Sequence, residues 1–94
     1  MTSRKPTASK LPSIAPFLLR ALVAYCEVKG RKGDEPSLSE IAAELGKSKG
    51  HANRCARELV LAGCLQKLPP PVRHMPYRVT PLGRRYFAKA VANG

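Results

Sequence analysis

The chain has 94 residues, 44% of them hydrophobic, and a formal net charge of +11 from 17 Lys and Arg against 6 Asp and Glu. A chain of this length is expected to form one small domain, with little room for an enclosed catalytic cavity beside its core. It lacks a run of about 18 apolar residues, which argues against a membrane span. Its polar start at Met1 to Lys10 does not resemble a secretory signal, so we expect a cytoplasmic, nucleoid-associated protein.

The charges are unevenly distributed along the chain. All six acids lie between Glu27 and Glu58, whereas residues 59–94 hold several cations and no acid. Basic charge gathered in one part of a small domain indicates a polyanionic partner, and nucleic acid is favoured over an anionic membrane. No long amphipathic basic helix supports membrane binding.

The three cysteines, Cys26, Cys55 and Cys64, are odd in number and form no C-x-x-C pair, which fits a reducing compartment rather than a disulfide framework. His51 and Cys55 stand four residues apart, and Cys64 and His74 are further potential metal ligands. Without a second closely spaced pair, however, small apolar cysteines are the favoured interpretation. No metal, cofactor or small-molecule ligand is therefore predicted, and redox sensing is a minor alternative.

The N-terminal part predicts an arm followed by a helix. Residues 1–12 hold two prolines and three cations and predict a flexible basic arm, which leaves residues 13–94 for the folded domain. Apolar residues at helical spacing predict a first helix that is capped by Ser13 and stops at Gly30. Its apolar surface exceeds one stripe. This fits either a dimer contact or a helix enclosed in its own domain, and we expect a homodimer through this helix.

Two short helices are predicted next. Ser37 and Glu40 have the spacing of a capping box, and Gly46 is placed to end the helix that they begin. Ser48 is a good cap for the following helix, which closes at Gly63. Two short helices joined by a turn of about four residues that contains Gly are typical of a helix-turn-helix.

The periodicity then changes to that of a β-hairpin. Residues 64–68 and 77–80 predict two strands, and the prolines at 69–71 end the first strand because proline lacks an amide proton. Thr80 and Pro81 have the pattern of a cap and a first helical residue, and they begin a last helix that runs to Asn93. The fold class is thus mainly α with a small β-hairpin.

Two segments carry a family resemblance. SLSEIAAELGKSKGHANRCARELVLAGCL and YRVTPLGRRYF are similar to the second and third helices and to the wing-to-helix segment of winged helix-turn-helix regulators of the MarR- and ArsR-like kind. The chain departs from that family at the hairpin tip, where three prolines and Arg73-His74-Met75 replace an acidic, glycine-rich sequence. It also lacks the long extra helices that build the MarR dimer.

The resemblance implies that the third helix enters the major groove of DNA. Asn pairs well with adenine and Arg with guanine, and phosphate suits a helix N-terminus. The resulting candidates on this helix are Ser48, Lys49, Gly50, His51, Asn53, Arg54 and Arg57. The candidates for contacts with the DNA backbone, on the hairpin and last helix, are Arg73, His74, Arg78 and Arg84.

We therefore predict a sequence-specific double-stranded DNA-binding protein, a transcriptional regulator of the repressor type. The alternatives are a replication or partition accessory protein and a winged-helix module that binds protein or RNA. An enzyme is not predicted, because the sequence shows no paired carboxylates and no nucleophile–base arrangement.

Overall fold

The computed structural model describes residues 11–69 and 77–93, and within them it contains four helices and a two-stranded antiparallel sheet. The elements in chain order are α1 (Pro16–Lys32), α2 (Leu38–Leu45), α3 (Lys49–Leu61), β1 (Leu65–Lys67), β2 (Tyr77–Val79) and α4 (Pro81–Asn93). This confirms the mainly helical fold with a small hairpin. Arg73 and His74 of the hairpin tip, and residues 1–10 of the expected arm, lie outside the described residues.

Helix α1 begins later and ends later than the sequence predicts. Its N-cap is Ala15, with no side-chain cap, so the prediction that Ser13 caps the helix is wrong. The helix also continues through Gly30 and stops at Gly33, whose φ of 85° is left-handed and whose N–H donates to the Lys29 carbonyl at 2.8 Å. The left-handed exit that favours glycine therefore lies three residues beyond the predicted stop.

The caps of α2 and α3 form as predicted. Ser37 Oγ accepts from the Glu40 N–H at 3.1 Å, and a Glu40 carboxylate oxygen accepts from the Ser37 N–H at 2.8 Å, which confirms the capping box. Helix α2 ends at Gly46, with φ of 68°. Ser48 then caps α3 by accepting from the His51 N–H at 3.1 Å, so residues 46–48 form the turn between the two helices.

Helix α1 is the central element of the fold, because it packs against α2, α3, α4 and β2. Its buried side chains are Leu18, Ala21, Leu22, Ala24, Tyr25, Cys26 and Val28. This broad burial favours the interpretation that the wide apolar surface of α1 is enclosed in its own domain. The folded part also includes residues assigned to the arm, since Leu11 packs on the core and the Pro12 carbonyl accepts from the Tyr86 hydroxyl.

The hairpin is joined to α4 through Thr80. Its N–H donates to the Cys64 carbonyl at 3.0 Å, and its hydroxyl donates to the Gly63 carbonyl at 2.5 Å and accepts from the Gly83 N–H at 3.1 Å. A Cβ on Gly83 would lie 2.4 Å from the Cys64 carbonyl oxygen and 2.8 Å from a Val79 methyl group. The first turn of α4 thus packs directly on the backbone that leads from α3 into β1 and on the second strand of the hairpin.

Candidate nucleic-acid interface

Helix α3 buries one face and exposes the other. Its buried residues are Ala52, Cys55, Ala56 and Leu59. On the opposite side Gly50, Arg54 and Arg57 are exposed, and Asn53 is half-buried at the edge of this face. Because the buried residues recur at helical spacing, the three polar side chains are held on one accessible surface. These four residues are among the candidates for DNA contacts that the sequence predicted on this helix.

The N-terminus of α3 has unused backbone donors. Ser48 Oγ accepts a hydrogen bond from the His51 N–H. The N–H groups of Lys49 and Gly50 therefore remain without a partner inside the helix. The first turn holds no acidic residue. A Cβ built on Gly50 would meet only Ser48 Oγ, at an ordinary 3.7 Å. The fold therefore does not require glycine at position 50, and the exposed backbone there is open to a partner.

His51 lies on the flank of α3 rather than on its outer face. Its Nε2 atom is 3.6 Å from Cys55 Sγ, and its ring centroid is 6.4 Å from that of Phe17 on α1. The side chain is half-buried. Of the candidates on α3, His51 is thus the one that packs against a side chain of α1.

A groove of about 460 Å³ runs between α3 and the hairpin. Its lining residues are Asn53, Arg57, Val60, Leu61, Lys67 and Tyr77. We call it the helix–hairpin groove. Lys67 was not among the residues predicted from the sequence. The sequence offers no local signal for Lys67, because its place in the groove depends on how β1 packs against α3.

Three of the six acids pair with cations at the C-terminal end of α1. The C-terminal part of α1 pairs with acids on the following loop and on α2, in Lys29–Glu35 at 2.5 Å, Arg31–Glu44 at 2.6 Å and Lys32–Glu40 at 2.8 Å. We call these six residues the acid-paired surface. The Lys32 ammonium and the Ser37 amide, both bonded to Glu40, lower the pKa of that carboxyl from its ordinary value.

The cations of α3 and β1 have no such partners in the described part of the chain. Within residues 11–69 and 77–93, which include all six acids, no ion pair involves Lys49, Arg54, Arg57 or Lys67. We call these four residues, together with Gly50 and Asn53, the basic surface. The exposed acid Glu58 lies on the flank of α3, one turn from Arg54, without an ion pair to it. The basic surface therefore keeps its positive charge available to an anion.

Two further candidates lie apart from this surface. Arg78 extends from β2 toward the loop between α1 and α2, where its Nε is 3.8 Å from Glu35 Oε2. Arg84 is exposed in the first turn of α4. It is near enough to Cys26 on α1 to oppose, in part, the rise in that thiol's pKa that burial causes. The structure thus brings Asn53 and Arg57 together with Lys67 at the groove, and it places Arg78 and Arg84 on other elements.

The three cysteines are buried in the core. Burial raises the pKa of the Cys55 and Cys64 thiols, which disfavours the reactive thiolate that redox sensing needs. His51 and Cys55 are adjacent, but no group of three or more His, Cys, Asp or Glu in the described part of the chain is arranged to hold a metal ion.

No protein-family model matches the chain, and no curated protein matches it significantly. Among the residues that the structure describes, no helix has both the length and the apolar character needed to cross a bilayer.

Proposed function

We propose that the protein binds double-stranded DNA as a winged helix-turn-helix, with α3 as the recognition helix and the β1–β2 hairpin as the wing. The observation that carries the proposal is the basic surface, because its cations lie together on the exposed face of α3 and beside the hairpin without acid partners. An accessible helix with Asn and Arg side chains has the size and the donors that the major groove accepts.

Base recognition falls to the outer face of α3. Arg54 is exposed near the middle of the helix, and its guanidinium suits the two acceptors on the guanine edge. Asn53 at the edge of the face suits adenine. Gly50 allows the first turn to approach the DNA closely, because it adds no side chain to the exposed backbone.

Backbone contacts fall to the helix–hairpin groove and the start of α3. Arg57 and Lys67 line the groove from its two sides, so one phosphodiester could contact both cations. The amides of Lys49 and Gly50 offer a second phosphate site at the positive end of the α3 dipole. Affinity is expected to fall steeply with salt, because each neutralised phosphate releases counterions.

The test compares Arg54→Ala with Arg31→Ala, which removes an exposed arginine from the acid-paired surface. A DNA site is first selected from a pool of random duplexes, and its affinity is measured by fluorescence anisotropy. Arg54→Ala should weaken binding by about 1–3 kcal/mol and relax the preference at one base pair. Arg31→Ala should change the affinity much less. Equal losses for the two variants would contradict the proposed recognition surface.

We further propose that the protein is a transcriptional regulator of the repressor type and that it binds as a homodimer. Symmetric proteins recognise symmetric sites, so the selected sequences should contain an inverted repeat. A consensus without symmetry would argue against the dimer. The absence of any consensus would favour a replication or partition accessory role on the same fold.

A second candidate function is binding of a protein partner, and Leu61 is the observation that favours it. This leucine is 87% exposed at the C-terminal end of α3 and borders the helix–hairpin groove. Leu61→Ser should weaken DNA binding less than Arg57→Ala does, because Leu61 borders the groove but offers no charge to a phosphate. A larger loss with Leu61→Ser than with Arg57→Ala, with the fold intact, would contradict the phosphate role of the groove.

A further inference from the structure

Glu35 stands between two cations. It lies in the loop between α1 and α2, and its side chain is only 16% exposed. Its Oε2 atom is 2.5 Å from Lys29 Nζ and 3.8 Å from Arg78 Nε. The other carboxylate oxygen, Oε1, is buried and has no hydrogen-bond partner among the described residues. Both cations therefore share a single oxygen atom.

The two cations are held unequally. Lys29 is at hydrogen-bonding distance, and its side chain is 29% exposed. Arg78 is beyond hydrogen-bonding distance and is 57% exposed. An ion pair at this separation whose cation is exposed to solvent adds little to stability. Arg78 is thus the partner that another anion could displace.

Displacement would not leave Glu35 unpaired. An uncompensated, largely buried carboxylate is costly, but Glu35 keeps Lys29 when Arg78 departs. The guanidinium of Arg78 can exchange one oxyanion for another of similar geometry, since carboxylate and phosphate both accept two parallel N–H bonds from Arg. The cost of moving Arg78 is therefore limited to its own weak attraction to Glu35.

We propose that Glu35 competes with DNA phosphate for Arg78 and so sets how tightly the hairpin side of the protein holds DNA. The proposal rests on the DNA-binding function proposed above. Arg78 can give all its N–H donors to a phosphate only when it leaves Glu35, so the carboxylate and the DNA compete for one guanidinium. Glu35 is thus an affinity-determining residue that does not itself contact DNA.

The test uses Glu35→Gln with Glu44→Gln as its matched control, because Glu44 pairs with Arg31 on the acid-paired surface. The full chain is titrated onto a labelled random-sequence duplex at about 0.1 M salt. Both variants gain one unit of net positive charge. Glu35→Gln should tighten binding about two- to fivefold more than Glu44→Gln does, which is the range expected for an exposed ion pair.

The same pair of variants is then measured in the Arg78→Ala background. There the two glutamine variants should behave alike, because the contested cation is gone. A persistent advantage of Glu35→Gln in that background, or no advantage in the parent protein, would overturn the proposal. If the competition is overturned in one of these ways but Arg78→Ala still weakens binding, the proposed DNA-binding function is unaffected. A parent protein that does not bind the duplex would overturn both.

A second variant covers the case in which Glu35→Gln does not fold. Lys29→Gln removes the tighter partner and leaves Arg78 as the only cation on Glu35. It should therefore weaken DNA binding about twofold or more beyond the effect of Arg31→Gln, which removes one cation elsewhere. Equal effects of the two changes would contradict the competition. Circular dichroism of each variant identifies those that keep the helical fold.

Discussion

The acid-paired surface and the basic surface carry similar numbers of cations in different settings. On the first, three cations at the end of α1 each contact a glutamate at 2.5–2.8 Å. On the second, no ion pair holds the cations of α3 and β1 within the described residues. A paired cation is partly neutralised and has a restricted side chain, whereas an unpaired one keeps its full attraction for an anion. The location of the acids therefore indicates where an anion would be attracted better than the net charge does.

The N-termini of α2 and α3 differ in the same way. Each begins with a serine cap, but in α2 the Glu40 carboxylate reaches back to the Ser37 amide. In α3 the first turn has no acid, and Gly50 occupies its second position. The positive end of the α2 dipole thus already has a negative partner from its own chain. The corresponding end of α3 remains open to a phosphate from outside.

The largest effect is expected from Gly83→Ala, which should separate Lys67 from the cations of α3. Gly83→Ala places a Cβ 2.4 Å from the Cys64 carbonyl oxygen, a backbone atom that cannot move alone. Overpacking of this kind costs about 1–3 kcal/mol and sometimes more. We expect a free energy of unfolding lower by at least about 2 kcal/mol, measured by urea denaturation. DNA affinity should fall as well, because the hairpin that carries Lys67 is displaced from α3.

Gly30→Ala is the matched control for this prediction. Gly30 is also helical, but a Cβ there would meet nothing within 4 Å. The change should stabilise the protein by about 0.5–1 kcal/mol, because Ala is the better helix former. DNA affinity should not change. Similar destabilisation by both substitutions would show that the close approach at Gly83 is not what fixes the hairpin.

Features that depend on residues close together in the chain were predictable from the sequence, whereas contacts between distant elements were not. The capping box at Ser37 and the Ser48 cap of α3 each join residues three apart, so their spacing sufficed. The role of Gly83 depends on Cys64, which lies in another element and far away in the sequence. Lys67 was missed for the same reason, because only the return of the hairpin along α3 places it beside Arg57. Contacts between elements need the packed fold.

The end of α1 shows where a local signal misled. Gly30 and Gly33 both have the residue type of a helix stop, and spacing alone does not choose between them. The structure places the stop at Gly33, so Arg31 and Lys32 remain helical and reach glutamates on α2. These two contacts link α1 with α2, and they support the longer helix by tertiary interactions that the sequence pattern does not contain.

A smaller effect tests whether the start of α3 is shaped for a partner. Gly50→Ala meets no steric obstacle in the fold, so it should raise the free energy of unfolding by up to about 1 kcal/mol. The same methyl group should weaken DNA binding, because it separates the α3 backbone from the duplex. Melting curves and anisotropy titrations on one preparation would show whether stability rises while DNA affinity falls. A variant that is more stable and binds DNA equally well would remove Gly50 from the interface.

The smallest effect concerns the pH dependence of the acid-paired surface. The pKa of Glu40 is lowered from its ordinary value of 4.5, first by the Lys32 ammonium and then by the Ser37 amide. A carboxyl whose pKa is lower in the folded state stabilises the protein above its unfolded pKa, and this stabilisation is lost as pH falls through the folded value. Glu40→Gln keeps a capping-box side chain but not the charge. The Tm of the parent should therefore exceed that of the variant at neutral pH.

The difference in Tm should shrink as the pH falls below about 4.5, the ordinary pKa from which that of Glu40 is lowered. Lys32→Gln should reduce the same acid-range dependence, because it removes the main cause of the lowered pKa. Neither change should alter DNA affinity more than another single-charge change far from α3 does. A parent and a Glu40→Gln variant whose Tm values fall in parallel between neutral and acid pH would show that the pairing of Glu40 does not stabilise the fold. The ion pairs of the acid-paired surface would then neutralise its cations without contributing to the packing of α1 on α2.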